Sequence, residues 1–210
     1  MIRHGHSMAN QEKSFGGQHD YPLTELGRTQ AEKCAEALKN ESAYKIDRIY
    51  ASDLKRAYDT AVPISRALGL DIIPTSRLRE IFAGKWEGMP FVEIDKEYGE
   101  DYRIWRTDIG RARCTGGESV KELSERVLAA LADIASENEG KTVCIATHAT
   151  PIRAVCAAAA KIESADMAKI PWVANASINV FDYEDGRFVP IDVDNYRHLG
   201  DLATKLPSNV

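Results

Sequence analysis

Lys141-Thr142-Val143-Cys144-Ile145-Ala146-Thr147-His148-Ala149-Thr150-Pro151 is the stretch on which the fold turns. Thr142 to Thr147 (TVCIAT) is a short run of β-branched and small apolar residues, as expected for a buried strand. Pro151 suits the first turn of the helix after it, where a missing N–H costs nothing. The same pattern recurs outward. Asp47 to Ser52 (DRIYAS) reads as a short buried strand, Asp53 to Leu68 as a helix stopping at Gly69, and Asp71 to Pro74 as another short strand. Leu23, Gly27, Ala31, Cys34, Ala35 and Leu38 follow a helical period, with Thr24 placed as its N-cap. Leu123, Val127, Leu131 and Ile134 lay an apolar stripe on a helix from about Val120 to Ser136. Ser177–Tyr183 and Arg187–Val193 flank Glu184-Asp185-Gly186, which reads as a turn between two strands.

Strands alternating with helices predict an α/β layered fold with a largely parallel sheet, to which the last hairpin adds an antiparallel part. Met1-Ile2-Arg3 reads as the tail of a strand. Between Gly84 and Glu118 the pattern is mixed, with Trp86, Tyr98, Tyr102 and Trp105 among many charges. It is read as a helical insertion at about 84–118 within one domain spanning 1–210.

The chain has 210 residues, 27 Lys+Arg against 32 Asp+Glu, a net charge of −5, 44% apolar and 28% charged residues. That excludes collagen, low-complexity disorder and a disulfide-dense mini-fold. The mildly acidic balance argues against a nucleic-acid or anionic-membrane partner. No run approaches the roughly 20 apolar residues of a membrane span. Cys34, Cys114, Cys144 and Cys156 fit neither CxxC pairs nor a zinc pattern, so they read as structural thiols of a reduced, cytoplasmic protein. The first motif begins at residue 3, with no signal peptide ahead of it.

In open α/β sheets ligands sit at the carboxyl ends of the strands. Arg3-His4-Gly5-His6-Ser7, Arg56, Glu80 and Thr147-His148 all stand at or shortly after predicted strand ends. Two histidines, two arginines and a carboxylate at four ends suit phosphoryl transfer through a histidine. A neutral imidazole is a competent nucleophile, the planar guanidinium fork binds oxyanions, and a carboxylic acid can protonate the leaving alkoxide. His4 and His6 also form an H-x-H pair, but a metal site needs further ligands, and only His19, His148 and His198 remain without any HxxEH or DxH cluster.

These residues carry a resemblance. Arg3-His4-Gly5 with Ser7 and Asn10, then Gly17, Asp20, Pro22-Leu23-Thr24 and Gly27, resemble the opening of the histidine phosphatase (phosphoglycerate mutase-like) superfamily. Ser52-Asp53-Leu54-Lys55-Arg56-Ala57 with Thr60-Ala61 is similar to its second motif. Leu78-Arg79-Glu80 with Gly84-Lys85-Trp86-Glu87-Gly88 is similar to its third, Gly117-Glu118-Ser119 with Arg126 to a fourth, and Thr147-His148 with Ile152-Arg153 to a fifth. The resemblance implies a three-layer α/β/α sandwich and metal-independent catalysis with no cofactor. It implies His4 as phosphorylated nucleophile, Arg3, Arg56 and His148 as phosphoryl-binding groups, and Glu80 as general acid and then base. Ser7, Asn10, Gly17 and Ala149 are further candidate substrate contacts. Ala149 departs from the usual Gly after the second histidine, so its methyl should shape the pocket.

The expected partner is a small phosphorylated metabolite: a sugar phosphate, a phosphoglycerate or the nucleoside phosphate of corrin-ring assembly. The sequence assigns no oligomeric state. The phosphatase branch is preferred on Phe82-Ala83-Gly84-Lys85-Trp86-Glu87-Gly88, with phosphoglycerate mutase and a non-catalytic phospho-ligand binder as alternatives. Segment 84–118 is expected to cover the pocket, with Arg111 and Arg113 reading the non-phosphate part of the substrate.

Overall fold

The structure is a computed structural model that describes residues 1–41 and 45–205. Its strands are β1 (Ile2–Arg3), β2 (Ile46–Ser52), β3 (Ile72–Thr75), β4 (Thr142–Thr147), β5 (Ile178–Glu184) and β6 (Arg187–Asn195). Its α-helices are α1 (Met8–Glu12), α2 (Glu25–Asn40), α3 (Lys55–Leu68), α4 (Phe91–Glu97), α5 (Gly99–Thr107), α6 (Val120–Glu137) and α7 (Ala149–Ala159). The sheet order is β3-β2-β4-β1-β5-β6. The first four of these strands run parallel to one another, while β5 pairs antiparallel with both β1 and β6.

Side chains alternate across a strand, and the two faces of this sheet feed two cores. Ile49 and Ala51 of β2 and Cys144 and Ala146 of β4 pack with Cys34, Ala35 and Leu38 of α2 and with Ala61 and Ile64 of α3. The intervening Tyr50 and Ile145 pack on the other side, with Leu123, Val127 and Leu131 of α6 and Ala154 and Val155 of α7. The result is the expected three-layer sandwich. All four cysteines are buried and free, and burial pushes their thiol pKa values up, to about 11 for Cys144 and Cys156.

Local chemistry sets the boundaries. Thr24 Oγ1 accepts the Gly27 N–H at 3.1 Å as an N-cap. Gly69 ends α3 in the left-handed region (φ 68°). Helix α3 starts at Lys55 rather than Asp53, because Leu54 is extended and gives its N–H to Ser52 Oγ. Glu184 pairs with Arg187 in the ladder, so the hairpin turn is two residues, Asp185 and Gly186, both at positive φ. Segment 84–118 is mainly helical, carrying α4 and α5 between short 3₁₀ turns.

Register places the site. Ile2 lies opposite Ala146 and Arg3 opposite Thr147, so His4 and His148 leave the sheet side by side. Ala51 also lies opposite Ala146, which brings Ser52 to the same edge. The loop after β1 is clamped from outside by α2. The His6 N–H donates to Gln30 Oε1 at 2.7 Å and the Thr24 N–H to the His6 carbonyl at 2.9 Å. This contact is backbone on backbone: a Cβ on Gly27 would fall 2.0 Å from the His6 carbonyl oxygen. Gly27→Ala is therefore expected to cost about 1–3 kcal/mol through overpacking. Urea unfolding measures that loss, and activity should fall with it because the displaced backbone adjoins His4.

Candidate active site

Arg3, His4, Ser7, Asn10, Gly17, Arg56, Glu80 and Ala149 line one cavity at the carboxyl ends of the parallel strands, with a volume of about 80 Å³. The structure thus brings together every candidate taken from the motifs except His148; Arg111 and Arg113 also lie off the cavity. His148 is wholly buried next to His4, with the two rings edge-to-face at 5.3 Å between centroids.

His4 sits just past β1. Its Nδ1 lies 2.7 Å from the Gly5 carbonyl oxygen. A carbonyl only accepts, so Nδ1 carries the proton and Nε2 is left with its lone pair. Burial, then the neighbouring Arg56 and Arg3, hold the His4 pKa well below its ordinary value. His148 is held neutral by the same causes, burial first. His4 is thus a neutral imidazole of defined tautomer, the state a nucleophilic histidine requires.

The two guanidinium groups are almost inaccessible, Arg3 at 1% and Arg56 at 2% exposure. Arg3 NH1 donates to the Val173 carbonyl at 2.6 Å, and its Nε is buried without a partner. Arg56 donates to the Gly17 and His19 carbonyls at 2.7 and 3.0 Å. Burial lowers both pKa values, Arg3 to about 10, with Glu80 acting in the opposite direction. Among the described residues neither guanidinium forms an ion pair. Two buried cations facing one cavity make a place for a multiply charged oxyanion.

Glu80 is positioned by its surroundings. Its carboxylate accepts the Ile81 N–H at 2.9 Å and the Thr150 N–H, at the start of α7, at 3.3 Å. Its carbonyl accepts from Arg126, which also binds the Arg77 and Arg79 carbonyls and pairs with Glu118. Glu87, a rival acid in the same stretch, is occupied elsewhere. It accepts the Gln18, His19 and Ala83 N–H groups and ties two loops together. Asn10 Oδ1 accepts from the Ser7 N–H at 3.0 Å and the Asn175 amide at 3.3 Å, which leaves the Asn10 Nδ2–H donors for a bound oxyanion.

His6 bonds to Thr24 Oγ1 through Nδ1 at 3.0 Å. Among the described residues no group of three or more His, Cys, Asp or Glu comes together as a possible metal site. The reading of Arg111 and Arg113 as substrate contacts is corrected. Arg111 pairs with Asp108, and Arg113 binds Glu122 and the Gly117 carbonyl; neither lines the cavity. What the segment contributes instead is aromatic, Phe91 and Trp105, beside Phe15 and Trp172. Trp86 and Tyr102 serve as packing.

Three contributors went unread in the sequence. Ser52, a strand end and the first residue of the second motif but given no role there, binds the His148 ring at 2.8 Å. Trp172 lies in a stretch without periodicity, and Asn175 reaches the His4 carbonyl at 3.0 Å across 171 positions.

Residues 1–195 match the family model for the histidine phosphatase superfamily (branch 1). The chain belongs to that family. This histidine phosphatase is 33% identical over 205 residues to phosphoserine phosphatase 1 of Hydrogenobacter thermophilus, covering 96% of this chain and 94% of that one. It is 36% identical over 185 residues to glucosyl-3-phosphoglycerate phosphatase of Mycobacterium tuberculosis, covering 84% and 81%. Its fold superposes on Bacillus stearothermophilus YhfR with a TM-score of 0.88 at 28% identity, over 94% of this chain and 96% of that one. Like the Hydrogenobacter and Mycobacterium relatives, the histidine phosphatase described here is a phosphatase enzyme.

The neutral histidines make stability pH-dependent. Both folded pKa values lie below the unfolded value of about 6.5. Below that pH the unfolded chain binds the extra protons, so stability falls as pH falls toward the folded values. Each histidine should contribute a slope of up to about 1.4 kcal/mol per pH unit. Urea titrations between pH 7 and 5.5 in phosphate-free buffer should show this loss, and His4→Asn should flatten the slope by one proton.

Proposed function

We propose that this enzyme is a metal-independent phosphomonoesterase that works through a phosphohistidine at His4 on small phosphorylated metabolites. The observation that carries the reading is the neutral His4, its Nε2 unprotonated, between two buried arginines that have no carboxylate partner among the described residues. The family's chemistry then follows with atoms balanced. His4 Nε2 attacks phosphorus, the P–O bond to the leaving group breaks, and Glu80 gives its proton to the departing alkoxide. The alcohol leaves. Glu80, now a carboxylate, takes a proton from water as the water oxygen bonds to phosphorus. The P–N bond breaks, and inorganic phosphate and free His4 result. Arg3 and Arg56 balance the charge on the non-bridging oxygens, with His148, Ser7 and Asn10 as further donors. Gly17 and Ala149 shape the wall.

Hydrolysis is favoured over mutase chemistry by one feature. A mutase keeps a second charged group of its substrate in place between half-reactions. Among the described residues, no arginine or lysine other than Arg3 and Arg56 lines this cavity.

Rapid quench with labelled substrate should trap acid-labile, base-stable label, absent from His4→Ala. Label retained in that variant would remove His4 from the mechanism. Arg56→Ala should lose roughly 1.5–3 kcal/mol of binding and transition-state stabilisation, the range for a charge-assisted hydrogen bond. Glu80→Gln should bind substrate normally yet turn over slowly, with a smaller loss on aryl phosphates, whose leaving groups need less protonation. An equal loss on aryl and alkyl phosphates would count against Glu80. With phosphoglycerate and a bisphosphoglycerate primer, phosphate release should outrun isomerisation.

A further inference from the structure

Resting on that reading, we infer that the leaving group this site takes is uncharged and presents an apolar or flat face. A phosphoryl group takes the donors of Arg3 and Arg56. Beyond it the wall is Phe15, Phe91, Trp105, Trp172 and Ile81. The six basic residues of segment 84–118 all lie off this wall. Arg103, Arg106, Arg111 and Arg113 are paired with Glu100, Asp95, Asp108 and Glu122. A carboxylate on the leaving group would lose its water here, face Glu80 and find no cation.

The aromatic wall is also braced. Arg153, buried and without a carboxylate partner among the described residues, lies 4.2 Å over the Trp172 ring. Its Nε donates to the Ile170 carbonyl at 2.6 Å, which fixes the backbone just before that ring. Trp172 in turn meets Trp105 at 6.5 Å, and Trp105 meets Phe15 at 4.9 Å. Arg153 is thus a positioning residue: its desolvated cation holds one face of Trp172 and leaves the wall pre-formed.

Two pairs of ligands test this with leaving-group reactivity matched. Benzyl phosphate and O-phosphoserine both release primary alcohols. The expected kcat/KM ratio is at least about tenfold in favour of benzyl phosphate, carried by KM. Calorimetry with 2-phenylethylphosphonate and 2-amino-4-phosphonobutanoate reads the same preference without turnover. Trp172→Leu should collapse the ratio in both assays, and Arg153→Lys should weaken it. Equal or tighter binding of the amino-acid phosphonate would overturn the inference. Absence of turnover with normal phosphonate discrimination would overturn the catalytic reading and leave this one standing.

An independent observation concerns Ser52. Its Oγ lies 2.8 Å from His148 Nε2 and already accepts the Leu54 N–H, while His148 Nδ1 is buried without a partner. We propose that the Ser52 hydroxyl donates to Nε2 and so keeps the His148 proton on Nδ1, as a donor for the phosphoryl group. The opposite tautomer would turn a lone pair into an oxyanion site. Nitrogen-15 NMR of labelled histidines should show His148 protonated at Nδ1 in the native enzyme and in Ser52→Thr. Ser52→Ala should move proton density to Nε2 and lower kcat. Protonation at Nε2 in the native enzyme, or an unchanged tautomer in Ser52→Ala, would overturn the assignment.

Discussion

Two guanidinium groups held out of water without carboxylate partners are the constraint around which this molecule is organised. Removing an ion from solvent costs several kcal/mol unless hydrogen bonds or an opposite charge offset it. Arg3 and Arg56 recover part of that cost from the Val173, Gly17 and His19 carbonyls. These carbonyls are neutral, so the positive charge is kept for an anionic ligand. Burial first, and then this field, lower the pKa of His4 and His148 and keep both imidazoles neutral.

The rest of the fold keeps that field in place. Arg126 gathers the 77–80 backbone and Glu118 into one knot, and Thr147 Oγ1 donates to the Leu78 carbonyl at 2.7 Å. Glu80 is thereby fixed to the end of β4, beside His148. Glu87 does the same for the loop whose carbonyls hold Arg56. The four arginines of segment 84–118 are spent in surface pairs, each worth little. That segment's contribution to the site is aromatic surface.

Much of this was legible in the primary structure, for physical reasons. The strand and helix at 142–159 announce themselves because a buried strand and an amphipathic helix have different periods. His4, Arg56, Glu80 and His148 stand out because each is polar and close to a strand end. Thr24 and Gly69 were readable as caps because capping is local. The reading erred over Arg111 and Arg113. Charge on a segment beside a pocket does not tell which way a side chain points, and Asp108 and Glu122 supplied nearer partners.

By itself the sequence determined the alternation of strands and helices, the two-sided burial of the sheet and the set of groups able to carry phosphoryl transfer. These depend on side-chain type and on spacings of a few residues. Only the tertiary structure decided which groups meet. The parallel register of β1 on β4 sets His4 beside His148, and that of β2 on β4 brings up Ser52. Trp172 reaches the pocket, and Asn175 reaches the His4 carbonyl, across some 170 positions. Such pairings are fixed by packing across the whole sheet, where no local period records them.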